Sequence, residues 1–150
     1  MPKPVTPLVT ADAIIEHRGG IILIERLHEP FGHAIPGGFV DVGETMEHAA
    51  RREALEETGL QVELIDLLAI YSDPARDKRG HNATAVYIAR AEDAEQAQAG
   101  DDAGAIYYWR PGEPTPEMAF DHALILQDYL EYKSSGRRPA PMDLLARSYD

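Results

Sequence analysis

A single α/β domain is what this chain of 150 residues predicts. Its length falls inside the usual size of one folding unit. Short β-branched runs recur between Val9 and Trp109, each bounded by Gly, Pro or polar residues, as strands are. Two segments, 45–58 and 119–133, carry the composition of helices. With 44% hydrophobic and 27% charged residues, the chain lacks both the apolar poverty of a disordered sequence and the long uncharged run of a membrane span.

Residues 1–8 include Pro2, Pro4 and Pro7 and form an extended lead-in. Runs at 9–15 and 21–26 flank His17-Arg18-Gly19-Gly20, which predicts a β-hairpin. The stretch 30–42 is punctuated by Pro36-Gly37-Gly38 and followed by Gly43, so it reads as loop and short strand. Segment 45–58 lacks Gly and Pro and meets Gly59 where a C-terminal cap sits, the surest helix of the chain. Strands follow at 62–71 and 83–89, on either side of a polar loop from Ser72 to His81. An acidic, small-residue stretch at 92–104 leads to a strand at 105–109, and 119–133 has the second helical pattern. Ser134-Ser135-Gly136 and two prolines then break the chain before a short helix at 142–147. The domain proper is therefore 9–133, with 134–150 as a C-terminal tail, and no internal repeat is present.

A net charge of -12 opposes sequence-independent binding to a phosphate backbone, which draws its affinity from Lys and Arg. Nucleic acid and membrane are accordingly not expected as partners. The same charge repels a free nucleotide, so a phosphate substrate needs local arginines and a bridging cation. No secretory signal opens the chain, which makes the cytoplasm the default location, and the absence of cysteine excludes thiolate chemistry.

The chemistry concentrates at 38–60. Gly38 is followed after five residues by Glu44, then after seven by Arg52-Glu53-Ala54-Leu55-Glu56-Glu57-Thr58-Gly59-Leu60. At about 100° per residue, Glu53, Glu56 and Glu57 share one helix face. Three carboxylates there repel one another, and a helix built for stability alone would intersperse lysines. A hard divalent cation removes that repulsion, and oxygen-only ligands favour magnesium or manganese over zinc. Arg52, one turn before Glu56, can orient the carboxylates through its planar fork. A Glu-rich face is more often only a solvated surface, and it is Gly38 and Glu44 at fixed distance that argue otherwise.

This spacing resembles the Nudix box, Gly-x5-Glu-x7-Arg-Glu-U-x-Glu-Glu-x-Gly-U with U bulky and apolar, departing from it at Ala54. The resemblance implies a Nudix-type α/β/α sandwich with a mixed β-sheet. It also implies in-line attack of water on a diphosphate held by Mg2+, with Mn2+ as a substitute. Glu53, Glu56 and Glu57 would be the catalytic metal site, joined by the Gly38 carbonyl, with Glu44 as a supporting ligand or a partner of the ligands and Arg52 as the catalytic-site group that orients them. Asp102, a further catalytic candidate, lies in a loop that often supplies a base or an extra metal ligand in this family.

Ser72 to His81, Gly100 to Ala103 and Ala119 to Ala123 resemble small ADP-ribose pyrophosphatases of the family, with a departure at Lys78, where such enzymes often have proline. Arg26, Arg76 and Arg79 are the substrate-binding candidates; residue type alone leaves Arg76 and Arg79 equally readable as exposed loop charges. Phe120 and His122 read more readily as the start of a helix buried against the sheet, and the other histidines show no ligand spacing. The implied reaction is ADP-ribose hydrolysis to AMP and ribose 5-phosphate. A house-cleaning hydrolase of modified nucleoside triphosphates and a non-catalytic nucleotide-sensing module are the alternatives, and a homodimer is an allowed assembly.

Overall fold

In the computed structural model, residues 1–91, 93–94, 97–100, 103–147 and 149 are described. β1 (Leu8–His17) and β2 (Gly20–Arg26) form the predicted hairpin. His17 opposes Gly20, so only Arg18 and Gly19 turn the chain, and both take positive φ, 47° and 80°. That is the two-residue turn whose twist matches the flanking strands.

The sheet runs β3 (Gly32–Ala34), β2, β1, β6 (Asn82–Arg90), β5 (Glu63–Tyr71), with β4 (Gly37–Phe39) added to β1 and β7 (Ala103–Trp109) added to β2. β1 and β6 are parallel and the other pairs antiparallel, so the sheet is mixed. Alternation along β1 sends Ala11, Ala13 and Ile15 to one face and Ile14 to the other. On the first face sits α1 (Met46–Thr58), buried through Ala49, Ala50 and Ala54. On the second sits α2 (His122–Ser135), whose Ile125, Leu126 and Tyr129 pack with Ile21, Leu23, Val86, Ile88 and Trp109. The result is the expected α/β/α sandwich. Ala54, where the box prefers a bulkier side chain, is wholly buried in a cluster with Ile15, Ile22, Leu60 and Val62.

α1 is capped at both ends. The Thr45 side chain accepts from the His48 N–H at 3.0 Å, and Gly59, at φ 74°, donates to the Leu55 carbonyl. The Gln98 and Gly100 N–H groups donate to the Thr58 and Glu57 carbonyls at 2.7 and 2.9 Å, meeting acceptors the helix leaves open. α2 begins three residues later than its composition predicts. The preceding chain pairs with β3 instead, through His33 N–H to the Glu117 carbonyl and Ala119 N–H to the His33 carbonyl, both 2.8 Å. α3 (Pro141–Ala146) and its flanks lie on the domain: Arg138 donates to the Leu67 carbonyl at 2.9 Å, and Arg147 forks onto Asp128 at 2.6 and 2.7 Å.

Candidate active site

β1 changes partner along its length, pairing with β2 at 15–17 and with β4 at 10–12. A cavity of about 120 Å³ opens beside this split. Asp12, Gly37, Gly38 and Glu57 line it together with Arg26 from the end of β2 and Arg79 and Phe120 from the loops. Gly38 and Glu57 of the box and the candidate arginines, distant in sequence, therefore share one space.

On α1, Arg52 is the hub. Its Nε and Nη2 donate to the two oxygens of Glu44 at 2.7 and 2.9 Å, its Nη1 to Glu53 at 2.9 Å and to Glu56 at 3.2 Å, and its Nη2 to the Phe39 carbonyl at 2.9 Å. The Arg52 fork and the Asp41 N–H hold the Glu44 carboxyl far below the usual carboxylate range. With His48 on its Oε2 as well, Glu44 is the partner that holds Arg52.

Glu57 is different. One of its oxygens, Oε2, is buried with no hydrogen-bond partner. Burial, then the neighbouring Glu53 and Asp12 charges, push the Glu57 carboxyl up to about 9, and burial raises Glu53 as well. A Cβ at Gly38 would come within 2.6 Å of the Glu53 carboxylate, which explains the glycine without reference to turn geometry. Among the described residues, no three acidic or imidazole side chains stand in finished ligand geometry, Glu56 being turned toward Arg52. The donor set nonetheless fits a hard cation: all-oxygen, crowded with like charge, and holding one buried carboxylate oxygen that nothing satisfies.

The three arginines behave unequally. Arg76 is buried, not an exposed loop charge: Nε and Nη2 fork onto Asp121 at 3.0 and 2.8 Å, and Nη1 bonds Asn82. It builds the cavity wall, with its donors already engaged. Arg79 is half exposed and pairs with Asp77 at 2.9 Å. Arg26 donates to the Pro30 carbonyl at 2.7 Å. Arg26 and Arg79 both lie against the Phe120 ring, 4.8 and 5.2 Å from its centroid. Asp102 lies outside the described residues.

Two further residues of the site escaped the sequence reading. Asp12, 6% exposed, has its carboxyl pushed up to about 7, chiefly by burial. A lone acid inside the apolar run 9–15 was its signal. His122 is buried as expected of a helix start, but its Nδ1 accepts from the Ile35 N–H at 3.0 Å, so the ring is neutral and carries its proton on Nε2. Burial, then Arg76 and Arg26, lower its pKa to about 3.

The NUDIX domain pattern matches residues 6–129, and the chain belongs to the Nudix family. It is 44% identical over 130 residues to the ADP-ribose pyrophosphatase of Methanocaldococcus jannaschii, a match covering 85% of this chain and 76% of that protein. The NUDIX hydrolase of Nitrosomonas europaea shares its fold with a TM-score of 0.80 at 26% identity, over 91% of this chain and 77% of the other. The NUDIX domain of Shewanella oneidensis NrtR, solved in complex with ADP ribose, does so with a TM-score of 0.71 at 25% identity, over 86% and 90%.

Proposed function

We propose that this Nudix pyrophosphohydrolase cleaves ADP-ribose to AMP and ribose 5-phosphate with magnesium as its cation. The observation that carries the reading is the unsatisfied buried oxygen of Glu57, beside Glu53, lining a cavity that arginines also line. Glu53, Glu56 and Glu57, with the Gly38 carbonyl, would hold the cation. When bound, a divalent cation polarises phosphoryl oxygens and lowers the pKa of an attacking water. Arg52 keeps Glu53 and Glu56 in place and is itself kept in place by Glu44. Arg26 and Arg79 offer the positive charge that a chain at -12 must supply locally to a diphosphate. The 44% identity to an ADP-ribose pyrophosphatase supports the substrate, as does the likeness to a NUDIX domain that holds ADP ribose.

The test is a magnesium-dependent turnover screen of ADP-ribose, other nucleoside diphosphate sugars and 8-oxo-dGTP, with products identified. AMP and ribose 5-phosphate from ADP-ribose, at the highest kcat/KM of the set, is the expected result. Preference for the oxidised triphosphate would overturn the substrate, and ADP-ribose bound without cleavage would replace the enzyme by a sensor.

A further inference from the structure

Asp12 sits where an acid is least at home. It is the one charged residue in 9–15, lies on the central strand between Ala11 and Ala13, and is 6% exposed. Burying a carboxyl so deeply is costly unless partners meet its oxygens. Thr84 Oγ1 on the parallel strand β6 donates to Oδ2 at 2.6 Å, whereas Oδ1 takes no hydrogen bond from any described residue.

Oδ1 lies against the Gly37-Gly38 step of β4, which pairs with β1 so that Asp12 opposes Gly37 and Ala11 opposes Gly38. A Cβ at Gly37 would fall 1.8 Å from Oδ1, and one at Gly38 would fall 2.6 Å from the Glu53 carboxylate. Carboxylates fill the space that side chains at these two positions would take. Glu57, from the same helix as Glu53, lines the cavity together with Asp12 and both glycines, and its Oε2 is buried without a partner. One acid from the sheet and two from the helix thus converge on two residues of backbone, and among the described residues nothing donates to Asp12 Oδ1 or Glu57 Oε2.

Burial comes first in raising both the Asp12 and Glu57 carboxyls, and like charge adds to it: Asp121 and Glu53 act on Asp12, Glu53 and Asp12 on Glu57. The guanidiniums at hand do not meet the two open oxygens. Arg52 reaches Glu53 and spends its other donors on Glu44, Glu56 and the Phe39 carbonyl. Arg76 gives its donors to Asp121 and Asn82. A water would supply Oδ1 with a donor and leave the like charges where they are. A divalent cation meets the open oxygens and the charge together, and a donor set made only of oxygens suits a hard one.

We propose that Asp12 is a further ligand of the active-site cation, its Oδ1 and the Oε2 of Glu57 binding the same ion. This deepens the reading of the α1 glutamates as the cation site and rests on it. Asp12 brings a ligand from the central strand, held by Thr84 and by the pairing with β4, so that the sheet as well as α1 sets where the ion stands.

The test is cation binding without substrate. Titration with Mn2+, with the free ion counted by electron paramagnetic resonance, compares the wild type with Asp12→Asn and with Glu53→Gln/Glu57→Gln, the last reporting ions held by carboxylates elsewhere on a chain at -12. Asp12→Asn keeps the shape of the side chain and an oxygen for Thr84, and should weaken the wild-type site at least about 10-fold. Anomalous scattering from wild-type crystals grown with Mn2+ should place the ion within roughly 2.6 Å of both Asp12 Oδ1 and Glu57 Oε2, nearer than a bridging water allows. Should Asp12→Asn not fold, the position of the ion in the wild type decides. An ion on Glu57 beyond that distance from Asp12, or Asp12→Asn that binds Mn2+ as tightly as the wild type, overturns the proposal and leaves the helix site standing. A wild type that binds no more Mn2+ than Glu53→Gln/Glu57→Gln overturns both.

Discussion

Arg52 and Arg76 hold carboxylates through the same two-pronged fork, yet they do opposite work. Arg76 meets one acid, Asp121, with both side chains almost fully buried at 4% and 3% exposure, and Asn82 completes the set without charge. The pair is balanced. Arg52 meets Glu44, Glu53 and Glu56, three carboxylates to one guanidinium, with Glu57 left over behind them. Fork geometry alone therefore says nothing about function. What separates a structural ion pair from a site is the excess of carboxylates over cationic partners, which a proton or a bound cation must offset.

The comparison breaks most visibly at Arg76. Arg76→Ala strands the buried Asp121 charge, so a loss of about 3–5 kcal/mol is expected, a fall in melting temperature on the order of 10 °C for a domain of this size. Thermal melts read it directly. Arg76→Ala that melts like the wild type but loses turnover would move Arg76 from the wall into the site.

Glu57→Gln predicts the reverse pattern. Turnover falls at least about 100-fold, roughly 2.7 kcal/mol of transition-state stabilisation, while the melting temperature without added metal holds or rises, because burial and then the neighbouring charges make this carboxyl costly to ionise and the amide carries no such cost. A Glu57→Gln that unfolds would make the carboxylate structural.

The smallest effect is one of pH and belongs to His122. The folded ring stays neutral down to about pH 3, whereas in the unfolded chain it takes a proton near 6.5. Below 6.5 the unfolded state binds more protons, so this group withdraws stability as pH falls, on the order of 2 kcal/mol by pH 5. Asp12 and Glu57, whose carboxyls burial pushes up to about 7 and about 9, act with the opposite sign. Denaturant unfolding of wild type and His122→Asn at pH 7 and 5 isolates the histidine. The asparagine, which can still accept from the Ile35 N–H, should lose less stability on acidification than the wild type, and equal losses would assign the pH dependence elsewhere.

Local features were legible in the chain and long-range ones were not. The 17–20 turn, the helix of α1 and its Gly59 cap depend on neighbours within a few residues, and the structure reproduces them. The burial of Arg76 depends on Asp121, 45 residues away, and the neutrality of His122 on Ile35, 87 residues away. Periodicity carries no information on such partners. The start of α2 was misplaced for the same reason, since residues 117–119 answer to β3. Asp12 stood in plain view as a charge amid apolar residues, but only the sheet shows that its neighbour is Gly37.

The central claim is that the glutamate face of α1 is a cation site, and thermal melts with and without magnesium test it most directly. At about 100 times the dissociation constant, magnesium should raise the wild-type melting temperature by about 5 °C or more, because a cation relieves the repulsion only in the folded site. Glu53→Gln/Glu57→Gln should gain much less. Equal gains in the two proteins would place the metal elsewhere and leave the three glutamates as a solvated surface.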